Sequence, residues 1–204
     1  LRNMNKLEQL DVGDNQIEDI RVLETLAALK RLYLPYNPLK DASSLHRMTN
    51  LEGLDIGAIP GVKDFSFLEN LTNLVSLSLY DNDLEDIFFL KPLRKMKWLC
   101  LNYNEISDIS SLAYLQNLDF LWFTANPASD FSPLQELSKL TRLTLEENKI
   151  TDISFLRKMT KLEHVYLGDN EIEDGSALQY LSHLKTLWIS NNKISDLTPL
   201  LKLD

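Results

Sequence analysis

The sequence predicts a solenoid, a coil in which short repeated units stack along one axis. The first observation is a 22-residue pattern, L-x-x-L-x-L-x-x-N-x-I-x-D-I-x-x-L-x-x-L-x-x, that occurs nine times in 204 residues. The second is its apolar positions: numbering the opening residue 1, positions 1, 4, 6, 11, 14, 17 and 20 hold Leu, Ile, Val, Met or Phe at 60 of 63 places. Self-similarity at a fixed period is the signature of repeat architectures. The repeats open at Leu7, Leu29, Leu51, Leu74, Met96, Leu118, Leu140, Leu162 and Leu184, and the third contains one extra residue.

Each repeat opens with a short strand. Residues 140–148, LTRLTLEEN, alternate apolar and polar side chains, which is the period of a strand with one buried face. A strand of this length is unstable alone, and only the neighbouring repeat can cover its apolar side. The repeats are therefore expected to share one continuous core.

An asparagine follows the strand at position 9 of eight repeats. The amide carries both donors and an acceptor, so stacked asparagines can satisfy turn backbone groups that stacking removes from water. These residues are Asn15, Asn37, Asn82, Asn104, Asn126, Asn148, Asn170 and Asn192.

Position 13 is aspartate in all nine repeats, and Ser or Thr stands two residues later in seven of them. An acid just before a short apolar run suits a cap for a single helical turn, because its oxygens can accept free N–H groups. A row of acids about 5 Å apart, the spacing of neighbouring strands, could alternatively bind calcium. No second oxygen ligand recurs beside these acids, which favours capping.

The repeat form, with a short connector in place of a full helix, resembles the SDS22-like class of leucine-rich repeats. The D-I-S-x-L tails and the phrase NLTNL at 70–74 are similar to bacterial internalin-type members of that class. The resemblance covers the chain from Leu1 to Asp204. It implies a right-handed α/β solenoid, a horseshoe with a parallel sheet on the concave side and short 3₁₀ or extended segments on the convex side. It also implies protein binding rather than catalysis.

The pattern predicts one domain over 1–204. Residues 1–6 read as the end of a preceding repeat, with Leu1 and Met4 at its positions 17 and 20. We therefore expect further repeats, caps or other domains beyond both ends.

The sequence contains no motif for catalysis or for a cofactor. No stretch approaches the roughly 18 unbroken apolar residues of a membrane helix. A single cysteine, Cys100, excludes an internal disulfide. The expected neighbours of Cys100 on the sheet, Ser78 and Trp122, are not bases, so a nucleophilic thiol has no support. The three histidines are scattered at unrelated positions, which leaves a metal site without support. We expect a non-enzymatic domain without cofactor or metal.

Binding residues are sought at positions 3, 5 and 7, which should face the concave side, and at the flanking positions 2 and 8. These positions hold all three tryptophans and five of the seven tyrosines. Tyr80, Trp98, Phe120 and Trp122 are predicted to form one exposed aromatic patch, as in protein-binding hot spots. The alternative is ordinary strand propensity. The candidate contact residues are Tyr33, Tyr80, Trp98, Phe120, Trp122, Arg142, Glu146, Tyr166 and Trp188.

Two local features have open interpretations. Tyr166 and Trp188, at position 5 of adjacent repeats, either extend the binding surface or pack against a flanking domain. Residues 57–65, GAIPGVKDF, replace the asparagine turn of the third repeat. They predict a bulge at the concave rim that is either a tolerated insertion or a notch for a partner loop.

The charge of the concave positions limits the class of partner that the domain could bind. The five concave positions carry eleven acids and five bases, a balance of −6 within a chain of −9. Nucleic acid and anionic membranes are poor partners because both require clustered Lys and Arg. We expect a protein partner with a basic or neutral surface, no membrane insertion, and a monomer in the full-length protein.

Three hypotheses describe the setting in which the domain acts. The first is a binding module of a secreted or cell-surface bacterial protein of internalin type. The second is a cytoplasmic, SDS22-like regulatory subunit of a protein phosphatase. A third is a purely structural or engineered repeat segment, in which the aromatic patch has no ligand.

Overall fold

Nine short strands form a single parallel sheet in the computed structural model, which describes residues 4–203. Leu1 and Asp204 lie outside the described residues. The spatial order follows the chain from β1 to β9, and each strand pairs with the next in equivalent register. The strands are β1 Gln9–Asp11, β2 Arg31–Tyr33, β3 Gly53–Asp55, β4 Ser76–Ser78, β5 Trp98–Cys100, β6 Phe120–Trp122, β7 Arg142–Thr144, β8 His164–Tyr166 and β9 Thr186–Trp188.

A short 3₁₀ helix follows every strand on the opposite side of the coil. The solenoid class predicted from the 22-residue period is thereby confirmed. None of the helices between residues 4 and 203 is long and apolar enough to cross a membrane. The 3₁₀ helices are Arg21–Thr25, Ser43–Arg47, Ser66–Asn70, Phe88–Leu90, Ser110–Tyr114, Ser132–Glu136, Ser154–Lys158, Ser176–Tyr180 and Thr198–Lys202.

The apolar positions form one core that runs through the whole stack. In the central repeats these side chains are buried, whereas Leu7 and Leu10 in the first repeat and Leu184 and Leu187 in the last are only partly covered. Burying a leucine side chain stabilises the fold by about 1.5–3 kcal/mol, and here the covering atoms come from the adjacent repeats. No single repeat therefore forms a hydrophobic core without its neighbours.

The position 9 asparagines join consecutive repeats, as predicted. The amide nitrogen of Asn104 donates to the carbonyls of Leu101 in its own repeat and Leu79 in the preceding one. Its oxygen accepts the backbone N–H groups of Asn82 and Leu84. Asn37, Asn82, Asn126, Asn148 and Asn170 make comparable bonds and are buried. Each such side chain satisfies backbone groups of the preceding repeat, and all except Asn148 also bond within their own repeat.

The turn beside each asparagine contains a residue in the left-handed conformation. Position 8 has φ between 50° and 58° in all nine repeats, and none of these residues is glycine. This region disfavours bulky side chains, yet Tyr36 and Tyr103 occupy it. The hydrogen bonds on either side of position 8 hold its backbone in the left-handed conformation whichever residue type stands there.

The position 13 aspartates accept a free N–H at the start of each 3₁₀ helix, as predicted, from one residue before the N-cap position. In every repeat a carboxylate oxygen accepts the N–H of the residue two positions later, which is the first residue of the 3₁₀ helix, as Asp108 does from Ser110 at 2.8 Å. This backbone hydrogen bond lowers the pKa of Asp108. The pKa of Asp19 falls to about 2, chiefly because its carboxylate accepts a hydrogen bond from the Arg21 side chain. Among residues 4–203 no group of three or more His, Cys, Asp or Glu side chains lies close enough to hold a metal ion.

The extra residue of the third repeat lies beyond the strand, in a turn at Pro60 and Gly61. The register of β3 with β2 and β4 is undisturbed. A Cβ on Gly61 would stand 2.2 Å from the carbonyl oxygen of Leu39, so only glycine allows this close approach. The insertion is therefore absorbed behind the concave sheet and leaves its strands in line.

We predict that Asn104→Ala lowers the free energy of unfolding by about 3–5 kcal/mol, because it leaves several buried backbone groups without partners. Asn15→Ala is the matched control. Asn15 is exposed, and within residues 4–203 its side chain bonds only to the carbonyls of Val12 and Gly13 in its own turn, so about 1 kcal/mol or less is expected. Urea unfolding monitored by circular dichroism measures both. Equal losses would contradict the joining role of the central asparagines.

Candidate functional site

Trp98, Phe120 and Trp122 lie side by side on the concave face, and we call them the tryptophan cluster. The register of β5 and β6 sets Trp98 beside Phe120 and Cys100 beside Trp122. The two indoles meet edge to face, with ring centroids 4.4 Å apart and planes at 90°. All three rings are partly exposed. Edge-to-face packing stabilises such a pair by about 0.5–1.5 kcal/mol, so the rings are held in position before any partner arrives.

Arg142 adjoins the tryptophan cluster from β7. The register pairs it with Phe120, and its guanidinium carbon lies 4.9 Å from the centroid of that ring. The Nε atom of Arg142 is buried and has no hydrogen-bond partner within the described part of the chain. The guanidinium of Arg142 thus adds a positive group to the edge of the tryptophan cluster.

Tyr80 turns away from the tryptophan cluster, contrary to the single patch predicted from the sequence. Its ring lies over Gly57, where an added Cβ would stand 2.2 Å from the ring. It also meets Tyr36 edge to face, with centroids 5.7 Å apart. Burial, followed by the neighbouring Tyr36 hydroxyl, raises the pKa of Tyr80 well above its usual range. The space left by Gly57 is therefore filled by Tyr80 rather than open as a notch.

Tyr33 belongs neither to the tryptophan cluster nor to the Tyr36–Tyr80 pair. It is the position 5 residue of β2, paired with Asp11 on one side and Asp55 on the other. Burial raises the pKa of Asp55, against the opposing hydrogen bonds from Gly57 N–H and Ser78. Tyr33 therefore borders an acidic part of the sheet rather than the aromatic part.

Tyr166 and Trp188 share a hollow with the tryptophan cluster. Their rings meet edge to face with centroids 5.3 Å apart, and Trp188 is 61% exposed. The hollow has a volume of about 400 Å³ and contacts Trp122 as well as this pair. Both interpretations of the pair, an extension of the binding surface and a packing site for a flanking domain, stay predictions. The remaining lining comes from Asn102, Tyr103, Thr124, Arg142, Thr144, Glu146 and Glu147.

Acidic groups border one end of this hollow. Burial raises the pKa of Glu146, and the nearby Asp169 and Glu147 carboxylates raise it further. Its Oε1 atom lies over Gly168, 3.2 Å from where a Cβ would be. The glycine thus makes room for the carboxylate at the edge of the hollow.

The histidine side chains have hydrogen-bond partners within the domain. His164 contacts the hydroxyl of Thr186 at 3.0 Å, and His183 contacts the carbonyl of Thr160. Cys100 is buried, and this burial raises the pKa of its thiol, which disfavours the reactive thiolate. These observations give a nucleophilic or metal-binding role no support.

Comparison with known proteins identifies leucine-rich repeats in this chain. Profiles described as "Leucine Rich repeats (2 copies)" match residues 138–178 and 160–202, and one described as "Leucine Rich repeat" matches residues 3–20. The internalin InlF of Listeria monocytogenes is 32% identical, with a TM-score of 0.83, over 100% of this chain and 73% of that protein. The chain belongs to the leucine-rich repeat family.

Other solved structures agree with this assignment. Internalin C2 of Listeria monocytogenes is 26% identical with a TM-score of 0.67, over 97% of this chain and 77% of its own. A leucine-rich repeat protein of Leptospira interrogans is 25% identical with a TM-score of 0.90, over 100% of this chain and 55% of its own. No curated protein matched the sequence. Leucine-rich repeat domains of the internalin type are typically protein-binding modules, and the fold is generally non-catalytic.

The structure adds residues that the sequence did not single out. Tyr36 and Tyr103 stand at the rim of this leucine-rich repeat sheet, 57% and 55% exposed, in the left-handed conformation. Thr144 is the small residue between Trp122 and Tyr166 that leaves the hollow open. A signal was available for the tyrosines, since bulky aromatics are unusual where the backbone turns left-handed.

We predict that Gly57→Ala displaces the Tyr80 ring and lowers the free energy of unfolding by about 1–3 kcal/mol, the usual cost of an added methyl group in a filled site. Gly53→Ala in β3 is the matched control, because the nearest atom to its Cβ would be Cγ of the Arg31 side chain at 3.4 Å, an ordinary van der Waals distance. Urea unfolding measures the stability of both variants. If the two alanines are tolerated equally, Tyr80 does not depend on Gly57 for its position.

Proposed function

We propose that this domain binds a protein partner through its concave face, with the tryptophan cluster and the adjoining hollow at the centre of the contact. The observation that carries the proposal is the group of partly exposed rings on adjacent strands, locked edge to face and flanked by Arg142. Large rigid rings bury much area on binding and lose little conformational freedom, and Trp, Tyr and Arg dominate hot spots. Strand propensity alone does not explain rings that pack on one another above the core.

The charge of the concave face supports a basic or neutral partner surface. Of its five bases, Lys30 and Lys185 are already in ion pairs with Glu8 and Glu163. Subtracting eleven acids from five bases leaves −6 at these positions. Such a surface repels polyanions and steers a positively charged protein towards itself.

The structural neighbours support an internalin-like setting, in which the domain belongs to a secreted or surface protein of a bacterium and meets a host or envelope protein. Two of them are internalins of Listeria monocytogenes. The SDS22-like cytoplasmic alternative is supported only by the repeat form.

The test uses the domain immobilised as bait for host-surface and cytosolic protein extracts, followed by measurement of Kd with each purified captured protein. The variant Trp98→Ser/Phe120→Ser/Trp122→Ser should retain its circular dichroism spectrum and lose the partner. Removing a single hot-spot ring costs about 2 kcal/mol or more, so Kd should rise at least about 30-fold. The matched control, Phe88→Ser/Tyr114→Ser/Tyr180→Ser, removes three exposed aromatics from the convex 3₁₀ segments and should bind normally.

A partner that binds the wild type and the concave variant equally would refute the concave site. If a partner is lost only by the convex control variant, the binding site lies on the convex side of the coil. The identity of a partner lost only by the concave variant would decide between surface adhesion and phosphatase regulation.

A further inference from the structure

The hollow beside the tryptophan cluster is built by the order of residues at position 5. Trp122, Thr144, Tyr166 and Trp188 occupy this position on successive strands β6 to β9. The small, buried Thr144 forms a low floor between taller aromatic neighbours. The resulting space of about 400 Å³ is at the small end of ligand pockets, which span roughly 300–1,000 Å³. Its size suits one large side chain rather than a segment of secondary structure.

The charges at one end of the hollow are unbalanced. Glu146 and Glu147 line it, and Asp169 lies close enough to disfavour ionisation of Glu146. In residues 4–203 none of these three carboxylates takes part in an ion pair. Asp169 accepts a hydrogen bond from the neutral Asn191 side chain. The chain thus leaves this end without a counter-charge of its own.

Arg142 does not supply that charge. Arg142 also lines the hollow, but its guanidinium is stacked on Phe120, and in residues 4–203 no ion pair joins it to Glu146, Glu147 or Asp169. The hollow therefore has aromatic walls, unpaired carboxylates at Glu146 and Glu147, and a guanidinium that is held against Phe120.

We propose that this hollow receives a basic side chain of the protein partner, preferably arginine. The inference rests on the proposed function and specifies the chemistry of the partner at that site. An arginine guanidinium lies flat on indole and phenol rings and forms paired hydrogen bonds with a carboxylate. Trp122, Tyr166 and Trp188 offer the rings, and Glu146 and Glu147 offer the carboxylates. A lysine fits the same charges but lacks the planar stacking surface.

The experiment titrates the ¹⁵N-labelled domain with N-acetyl-arginine amide and follows the three indole N–H signals by NMR, after assignment with single Trp→Phe variants. N-acetyl-citrulline amide, which has nearly the same shape without the charge, is the matched probe. We expect the signals of Trp122 and Trp188 to shift saturably with the arginine probe, and Trp98, which does not line the hollow, to shift less. The citrulline probe should bind at least about threefold more weakly, because the cation–π attraction is absent.

Two variants with equal changes of charge test the acidic end. Glu146→Gln/Glu147→Gln should weaken binding of the arginine probe about three- to tenfold. Glu85→Gln/Glu105→Gln, which alters exposed acids away from the hollow, should leave it unchanged. Unaltered circular dichroism verifies that both variants fold.

Equal binding of the arginine and citrulline probes would overturn the proposal, and so would stronger binding of N-acetyl-glutamate amide or the absence of any saturable shift. These results are independent of partner capture. If the arginine probe binds as expected while the concave triple variant still captures every partner, the hollow binds cations but the proposed function fails. If capture depends on the rings while the probe does not bind, the proposed function stands and this inference fails.

Discussion

Each repeat is too short to bury its own apolar side chains, so the structure depends on hydrogen bonds that fix one repeat against the next. The strands supply one set, and the buried asparagines supply the other by bonding to backbone groups of the preceding repeat. A slip between repeats would break both sets and uncover the shared core at the same time. The stack is therefore rigid although its individual elements contain only three to five residues.

This rigidity separates the scaffold from the surface that can vary. The apolar positions, the asparagine and the capping aspartate determine the backbone, including the left-handed residue of each turn. Positions 2, 3, 5, 7 and 8 contribute little to the core and can carry side chains suited to a ligand. The unsatisfied Nε of Arg142 and the left-handed Tyr36 and Tyr103 are locally unfavourable features of this variable set. All three residues belong to the side of the coil on which we propose that the partner binds.

The elements that the sequence predicted are those determined by contacts repeated at a constant spacing. The strands, the asparagine bonds and the aspartate caps recur with every turn of the coil, so a single repeat contains the information for all of them. The direction of the Tyr80 ring depends instead on one distant residue, Gly57, which leaves space that no pattern reveals. The hollow likewise requires Thr144 to stand between Trp122 and Tyr166 on neighbouring strands. The register predicts this adjacency, but the size and charge of the space follow only from side-chain positions.

The central claim is that the asparagine bonds make the repeats one rigid unit. Native-state amide hydrogen exchange tests it most directly, at the N–H groups of Leu84, Ile106 and Ile150, which donate to asparagine side chains of the following repeat. The account predicts that these amides exchange as slowly as those of the adjacent strands, with a common free energy of opening close to that of global unfolding. Rapid exchange at these three amides beside well-protected strands would contradict it.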